Sequence, residues 1–278
     1  MTTITYSYPV RRLRVDFDTR FVRYWYQGRP FETHWFNALS LGLPQAERYA
    51  ISCIKQAQPL VRGTELEPLA RAFIGQEATH NFVHGKCNAV LKEQGFDFVL
   101  DGYTQWRLRF APWLATTTGL GITAAWEHFT AILCEYTLSG DGPAMEGCDE
   151  PVRSLWVWHC AEELEHKALA YDMFHAAGGG YVRLQACYLY GAMLFLSDFA
   201  MQTLHNMYRD RCLASPRVWG GALRYFFGRR GLFWFALPRW LAYFKPGFNP
   251  SQADHTSLVR RAFEQLDGNY SIVGADPA

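Results

Sequence analysis

Glu77-Ala-Thr-His80 and Glu163-Leu-Glu-His166 are two copies of one pattern, a Glu and a His three residues apart within stretches that read as helix. Residues three apart share a helix face, so each pair can reach one point in space without bending the backbone. A lone carboxylate stands about one helical hairpin upstream of each copy, Glu47 before the first and Glu127 before the second. Two helices giving one Glu each and two giving Glu-x-x-His is the ligand pattern of a two-metal site inside a four-helix bundle. With nine His in 278 residues, a given Glu has a roughly 3% chance of a His at i+3, so one match means little and two with spaced partners mean much.

Heights along the helices test the grouping. In antiparallel neighbours, residues equally far from the connecting turn lie level, at about 1.5 Å rise per residue. From a turn near residue 61, Glu47 lies about fourteen positions back and Glu77 about sixteen forward. In the second hairpin Glu163 lies about twelve positions into its helix and Glu127 about eleven before the end of the preceding one, whereas Glu135 is only about three from that end. Glu127 is therefore the fourth carboxylate and Glu135 is not. Taken alone, Glu47 reads as a solvated surface residue. Glu127 sits among Trp126, Phe129 and Ile132. The doubled motif turns both into expected ligands, because four inward carboxylates without a cation would be costly to bury.

His159 stands four residues before Glu163 and seven before His166, on the same face, and adds a third imidazole to the expected ligand set. His84 competes for that role from the i+4 position after His80, and either could instead be a core residue donating to a ligand. Glu162 and Glu165 point elsewhere around the helix, toward solvated or supporting roles, and Asp172 is a possible support.

The remaining chain places these residues in an all-α protein. Residues 1–40, rich in aromatics and turns, read as an extended arm without catalytic groups. A helix is expected from Pro44 to about Gln58, where Pro59 stops it. Thr64 with Glu67 is a capping-box signal for a second helix to near Gly95. A third fits about 112–138 and a fourth about 151–177, giving a bundle over 41–180. The segment 181–278 reads as a helical extension packed on that bundle within a single domain. It holds an apolar helix over about 182–209, shorter helices, an amphipathic one near 251–266 and a frayed tail. Strand patterns are nearly absent.

The apolar run from Ala186 to Asp198 is too short to span a bilayer, where Asp198 would be costly, and reads as a buried fifth helix. From Arg224 to Trp240 aromatics mix with Arg in the manner of an interfacial anchor, so peripheral membrane contact or guidance of a lipid-like substrate is expected beside the plainer reading of a packed surface. Seven Cys with no C-x-x-C pair read as reduced thiols of a cytoplasmic protein, and the opening Met-Thr-Thr-Ile-Thr-Tyr-Ser-Tyr-Pro-Val-Arg-Arg has no apolar core of signal-peptide length. A formal charge of +1 and a pI near 7.6 argue against a nucleic-acid surface, while 49% apolar and 16% aromatic residues suit a thick core or an apolar binding cavity.

Glu47, Glu77-x-x-His80, Glu127 and Glu163-x-x-His166 resemble the ferritin-like di-iron carboxylate superfamily over about residues 40–177. Trp158-His159-x-x-Glu162-Glu163-x-Glu165-His166-Lys167, with Tyr243-Phe244-Lys245-Pro246-Gly247-Phe248-Asn249-Pro250, is similar to a bacterial family labelled predicted metal-dependent hydrolases, over about residues 10–267. The extra His159 is similar to the three-histidine di-iron sites of N-oxygenase-type enzymes, which implies oxygen activation. The long aromatic C-terminal third departs from ferritins proper, so iron storage and cage assembly are not carried over.

Carboxylates with a few imidazoles and no thiolate suit iron, with manganese as an alternative. Two iron ions (Fe2+/Fe3+) could pass two electrons to O2 and oxidise a small apolar substrate, drawing on an external electron donor because no reductase domain is fused. The same site could instead lower the pKa of water, which is hydrolysis, or simply hold metal. No Gly-rich phosphate loop, zinc cysteine cluster or Gly-x-Ser-x-Gly elbow supports a rival class. Oligomeric state is not legible.

Overall fold

The computed structural model describes residues 8–17, 21–140 and 145–274. Most of the opening stretch read for a leader, residues 18–20 of the arm, part of the stop after Ser139 and the end of the tail lie outside the described residues. The helices are α1 (Pro30–Ala57), α2 (Leu66–Glu93), α3 (Asp101–Leu108), α4 (Thr116–Ser139), α5 (Val152–His166), α6 (Leu169–Ala176), α7 (Tyr181–Arg209), α8 (Pro216–Phe227), α9 (Leu232–Ala242) and α10 (Thr256–Gln265). Strand among the described residues is confined to β1 (Arg11–Leu13) and β2 (Tyr270–Ile272), an antiparallel pair with Arg11 opposite Ile272. The chain is all-α. α1 packs on α2 and α4 on α5, while α1 also meets α4 and α2 meets α5, so these four enclose a common interior.

Three boundaries differ from the sequence reading, each for a local reason. α1 starts at Pro30 rather than Pro44, so residues 30–40 are buried helix and not arm. Pro30 takes the first helical position, where a missing N–H costs nothing. Pro44 sits mid-helix, where its missing N–H would orphan the Ser40 carbonyl; Asn88 Nδ2 of α2 donates to that carbonyl at 2.8 Å. The expected helix over 151–177 is two, α5 and α6, broken at Lys167–Ala168 immediately after His166; Lys167 Nζ donates there to the Ala253 carbonyl at 2.9 Å. α3 has no counterpart in the sequence reading. α2 starts near the Thr64–Glu67 signal, but the reciprocal box does not form: Glu65 is the N-cap, Glu67 Oε2 accepts from Gly63 N at 2.7 Å and Thr64 Oγ1 from Leu66 N at 3.3 Å.

α7 is long and apolar enough to cross a membrane by length and composition alone. It is not wholly buried as read. One face packs on α1 and α4 and carries the Arg107–Asp198 ion pair at 2.7 Å, while Leu189, Met193 and Leu196 face out. The contact is too close for side chains at three points: a Cβ on Gly191 would lie 2.8 Å from Ala125 Cβ, one on Gly42 2.8 Å from the Phe199 ring, and one on Gly121 2.9 Å from Cys187 Sγ. α7 therefore belongs to the packed body, and the core runs unbroken from the bundle through Phe129 stacked on Tyr188 and Tyr188 stacked on Tyr243.

Candidate metal centre

Glu47 projects from α1, Glu77 and His80 from α2, Glu127 from α4, and His159, Glu163 and His166 from α5, and all seven side chains are buried. Their donor atoms converge. His166 Nε2 lies 3.1 Å from Glu77 Oε1, 3.2 Å from Glu127 Oε2 and 3.5 Å from Glu163 Oε1. His80 Nδ1 lies 3.5 Å from Glu163 Oε1 and 3.8 Å from Glu77 Oε1, and His159 Nε2 lies 3.6 Å from Glu163 Oε1. Two sets of three, Glu47/Glu77/His80 and Glu77/Glu127/His166, each hold donor atoms within 4.8 Å of one another and share Glu77.

A metal-site reading needs donor atoms that have no other partner, and six atoms here have none. Both oxygens of Glu47, Glu77 Oε1, His80 Nδ1, Glu127 Oε2 and His166 Nε2 are buried without a hydrogen bond. Buried polar atoms are normally satisfied, and a cluster of orphans facing one another fits cations at its centre. The electrostatics point the same way. Burial, reinforced by Glu77, pushes the Glu47 carboxyl well above its usual range. Burial likewise raises Glu127 to about 8, although the His166 imidazole pulls it down. Glu163 is held well below the usual range, where its neighbours His166, His80 and His159 outweigh its burial. His80 and His166 are pushed well up by those carboxylates despite burial.

The imidazoles are oriented from behind by residues the motif reading did not include. Gln76 Oε1 accepts from His166 Nδ1 at 3.0 Å, because the Gln76 amide nitrogen is committed as donor to Glu165 Oε2 at 2.9 Å and to the Pro9 carbonyl at 3.0 Å. His166 Nε2 is thereby the nitrogen that faces the carboxylates and the one whose lone pair a cation would take. Glu162 Oε2 lies 3.1 Å from His80 Nε2 and fixes Nδ1 as the inward atom. Glu162 and Glu165 are joined by the Arg11 guanidinium, at 3.3 Å and 2.8 Å. Arg11 closes a loop from His80 through Glu162, Arg11, Glu165 and Gln76 to His166. The residue before each motif Glu thus crosses to the His of the other copy, so the repeated unit is Gln76-Glu77-x-x-His80 and Glu162-Glu163-x-x-His166.

Of the solvated and supporting roles read for Glu162 it takes the supporting one, wholly buried, and the arm, read as without catalytic groups, supplies Arg11 and the Pro9 carbonyl to the frame. The adjacent Gln-Glu and Glu-Glu pairs were the available signal; Arg11 offered none. Asp172 bonds to Asn249 Nδ2 at 3.1 Å, and Glu135 pairs with Arg239 at 2.7 Å and His255 at 3.4 Å, neither touching a ligand.

A second relay orients His159. Ser40 Oγ donates to Asn88 Oδ1 at 2.8 Å and so accepts from His84 Nδ1 at 2.9 Å; His84 Nε2 then accepts from His159 Nδ1 at 3.3 Å. That leaves His159 Nε2 with its lone pair on the side of Glu163 and gives His84 a positioning role. Burial holds both imidazoles neutral, His84 down to about 3. A further cluster, His34, Asp210 and Cys212, lies within ligand distance, but Asp210 already accepts from Arg23, Tyr24 and His34, and burial raises the Cys212 thiol to about 11. It is a satisfied polar knot.

A cavity of about 660 Å³ meets the centre on its carboxylate side, where Glu47, Glu77, Glu127 and Glu163 contribute to its wall. Elsewhere the wall is mainly apolar and aromatic, including Leu43, Ile122, Trp126 and Leu194, with Trp106 and Phe110 from the α3 region. Gln45 Oε1, Tyr49 Oη, Thr104 Oγ1 and Arg107 Nη1 line the same space without hydrogen-bond partners.

Fold and site together define a helical protein with a buried carboxylate–histidine centre fit for metal, opening on an apolar chamber. The chain belongs to the family described as predicted metal-dependent hydrolase, which matches residues 9–254. Neither the curated proteins nor the solved structures gave a match.

Proposed function

We propose that the protein is a dinuclear metalloenzyme that hydrolyses an apolar substrate bound in the cavity. The observation that supports it is the set of orphaned donor atoms at one end of that cavity; the family description supports the reaction class. Glu47, Glu77, His80, Glu127, His159, Glu163 and His166 would hold the ions, through donor sets such as Glu47/Glu77/His80, His80/His159/Glu163 and Glu77/Glu127/His166. Divalent ions there would supply Lewis acidity and acidify water. The chain's own part is to hold the imidazole lone pairs inward through Gln76, Glu162 and His84, to exclude bulk water with the apolar wall, and to seat the substrate. Tyr49, kept protonated by burial, offers its hydroxyl as a donor to a polar atom of the substrate.

A second reading, O2 activation by two irons with an external electron donor, is favoured by the donor chemistry. A ferritin-like arrangement of four helices, supplying only carboxylate and imidazole to a mainly apolar chamber, suits iron and the oxidation of an apolar substrate. Manganese fits the same donors. A cytoplasmic location accompanies either reading, supported by seven cysteines that form no disulfide.

One experiment separates these readings. Protein loaded anaerobically with Fe2+ or Mn2+ is analysed for metal, assayed on p-nitrophenyl esters of increasing acyl length without O2, and then followed for O2 uptake, beside a Glu77→Ala, Glu163→Ala double variant. About two ions per chain with ester cleavage in the absence of O2 supports hydrolysis. O2 consumption by the iron form, lost in the variant, moves the assignment to oxidation. Failure to bind metal removes the centre altogether.

A further inference from the structure

From Leu213 to Ala253 the chain contains no Asp or Glu, yet it carries Arg217, Arg224, Arg229, Arg230, Arg239 and Lys245. Only Arg239 is neutralised, by Glu135; Arg217, Arg224, Arg229 and Arg230 are exposed and make no ion pair among the described residues. α8 turns Val218, Ala222 and Tyr225 inward and packs on α1. Its outward stripe, at i, i+4 and i+8, is Trp219, Leu223 and Phe227. α9 continues the patch: Phe233 lies 5.4 Å from Phe227 and 5.0 Å from Trp234, and Trp234 is 56% exposed.

The support under this patch is firm. Tyr136 Oη donates to the Arg230 carbonyl at 2.8 Å, and Arg239 holds Glu135 through two nitrogens at 2.7 and 2.8 Å. Large apolar side chains are therefore held into water on a rigid hairpin edged by unpaired guanidinium groups. Arginine and aromatic residues together, with no acid among them, complement an anionic lipid surface: the rings enter the headgroup boundary and the guanidinium groups meet phosphate and carboxylate. The outer face of α7 is comparably apolar but has no Lys or Arg between Arg183 and Arg209, so it lacks that complementarity.

We propose that the α8–α9 hairpin, Pro216–Ala242, is a peripheral anchor that docks the protein on anionic phospholipid, with Trp219, Leu223, Phe227, Phe233 and Trp234 inserted and Arg217, Arg224, Arg229 and Arg230 on the headgroups. It stands independently of the metal-centre reading and needs no bound metal.

The test is flotation of the full chain with phosphatidylcholine vesicles, with and without phosphatidylserine, using Arg229→Gln/Arg230→Gln, Phe227→Gln/Trp234→Gln and, on the α7 face, Leu196→Gln. All these positions are exposed, and thermal melts check that each variant folds. The wild type is expected to float with the phosphatidylserine vesicles and to be released by salt. The arginine variant should lose roughly thirtyfold in partitioning, from about 1 kcal/mol per Arg; the aromatic variant should lose binding outright, and Leu196→Gln should not change it. A wild type left in the soluble fraction overturns the proposal, as does undiminished binding by both hairpin variants. Light scattering that shows a dimer dissolved by the aromatic variant, without vesicle binding, assigns the face to self-association and overturns it too.

Discussion

Gln76 on α2 accepts the Nδ1 proton of His166 on α5 at 3.0 Å, and that bond decides which nitrogen of the imidazole faces the carboxylates. Metal affinity should follow it. Gln76→Leu keeps the bulk and removes the acceptor, and partners of this kind are worth about 10–100-fold in affinity. A competition titration against a chromophoric chelator should show that loss. Equal affinity for Leu and wild type would sink the tautomer argument.

Arg11 is the only cation touching Glu162 among the contacts described. Arg11→Met leaves a buried carboxylate facing only His80, and removing one partner of a buried pair costs about 3–5 kcal/mol. Urea denaturation of the metal-free protein should report that loss, and adding Glu162→Gln should restore part of it. No restoration would mean that Arg11 acts through Glu165, which it holds at 2.8 and 3.0 Å, or through its stacking on Phe263, 3.8 Å from the ring centroid, and not through Glu162.

Cations that bind only the folded chain stabilise it by mass action. At about 100 times the dissociation constant, Mn2+ should raise the unfolding free energy by about 2.7 kcal/mol. Glu77→Gln, which strips the carboxylate shared by both donor sets, should remove most of that gain. A metal effect that survives in the variant would place binding elsewhere.

The Glu135 carboxyl, although burial raises it, is pulled down to about 2 by His255 and Arg239. A carboxyl whose folded pKa lies below its ordinary value of 4.5 adds stability that is complete above that value and fades as pH falls toward 2. Glu135→Gln should therefore flatten the acid limb of a plot of melting temperature against pH between about 4.5 and 2, with the two proteins running parallel above it. Divergence only at neutral or alkaline pH would contradict the pairing.

Ala186 lines the cavity and is itself exposed, so Ala186→Trp should narrow the chamber without straining the core. Turnover of long-chain esters should fall by an order of magnitude or more while metal content stays at wild-type level. Unchanged selectivity for chain length would show that substrate does not pass that point.

Much of the centre was legible because its geometry is periodic. Glu77 with His80, and Glu163 with His166, advertise a shared helix face, and equal distances from turns brought Glu47 and Glu127 level with them. The height argument separated Glu127 from Glu135, and the two now lie in different environments. What was illegible depends on contacts between segments far apart in sequence. Arg11 reaches Glu162 across 151 positions, which no spacing rule encodes. The choice between His84 and His159 rests on the direction of a proton chain that begins at Ser40. Pro44 misled because it suits a helix start as well as an interior whose orphaned carbonyl Asn88 repairs. The break after His166 leaves no Gly or Pro to mark it, and α3 is too short to show a period.

The small sheet ties the beginning of the described chain to its end. Arg11 is paired in register with Ile272, Val10 accepts at its carbonyl from Val273 N, and Arg14 N donates to the Asn269 carbonyl. Because Arg11 sits in that pairing, the frame behind the imidazoles rests on residues some hundred positions beyond the last ligand, and the aim of the centre is tied to both ends of the described chain.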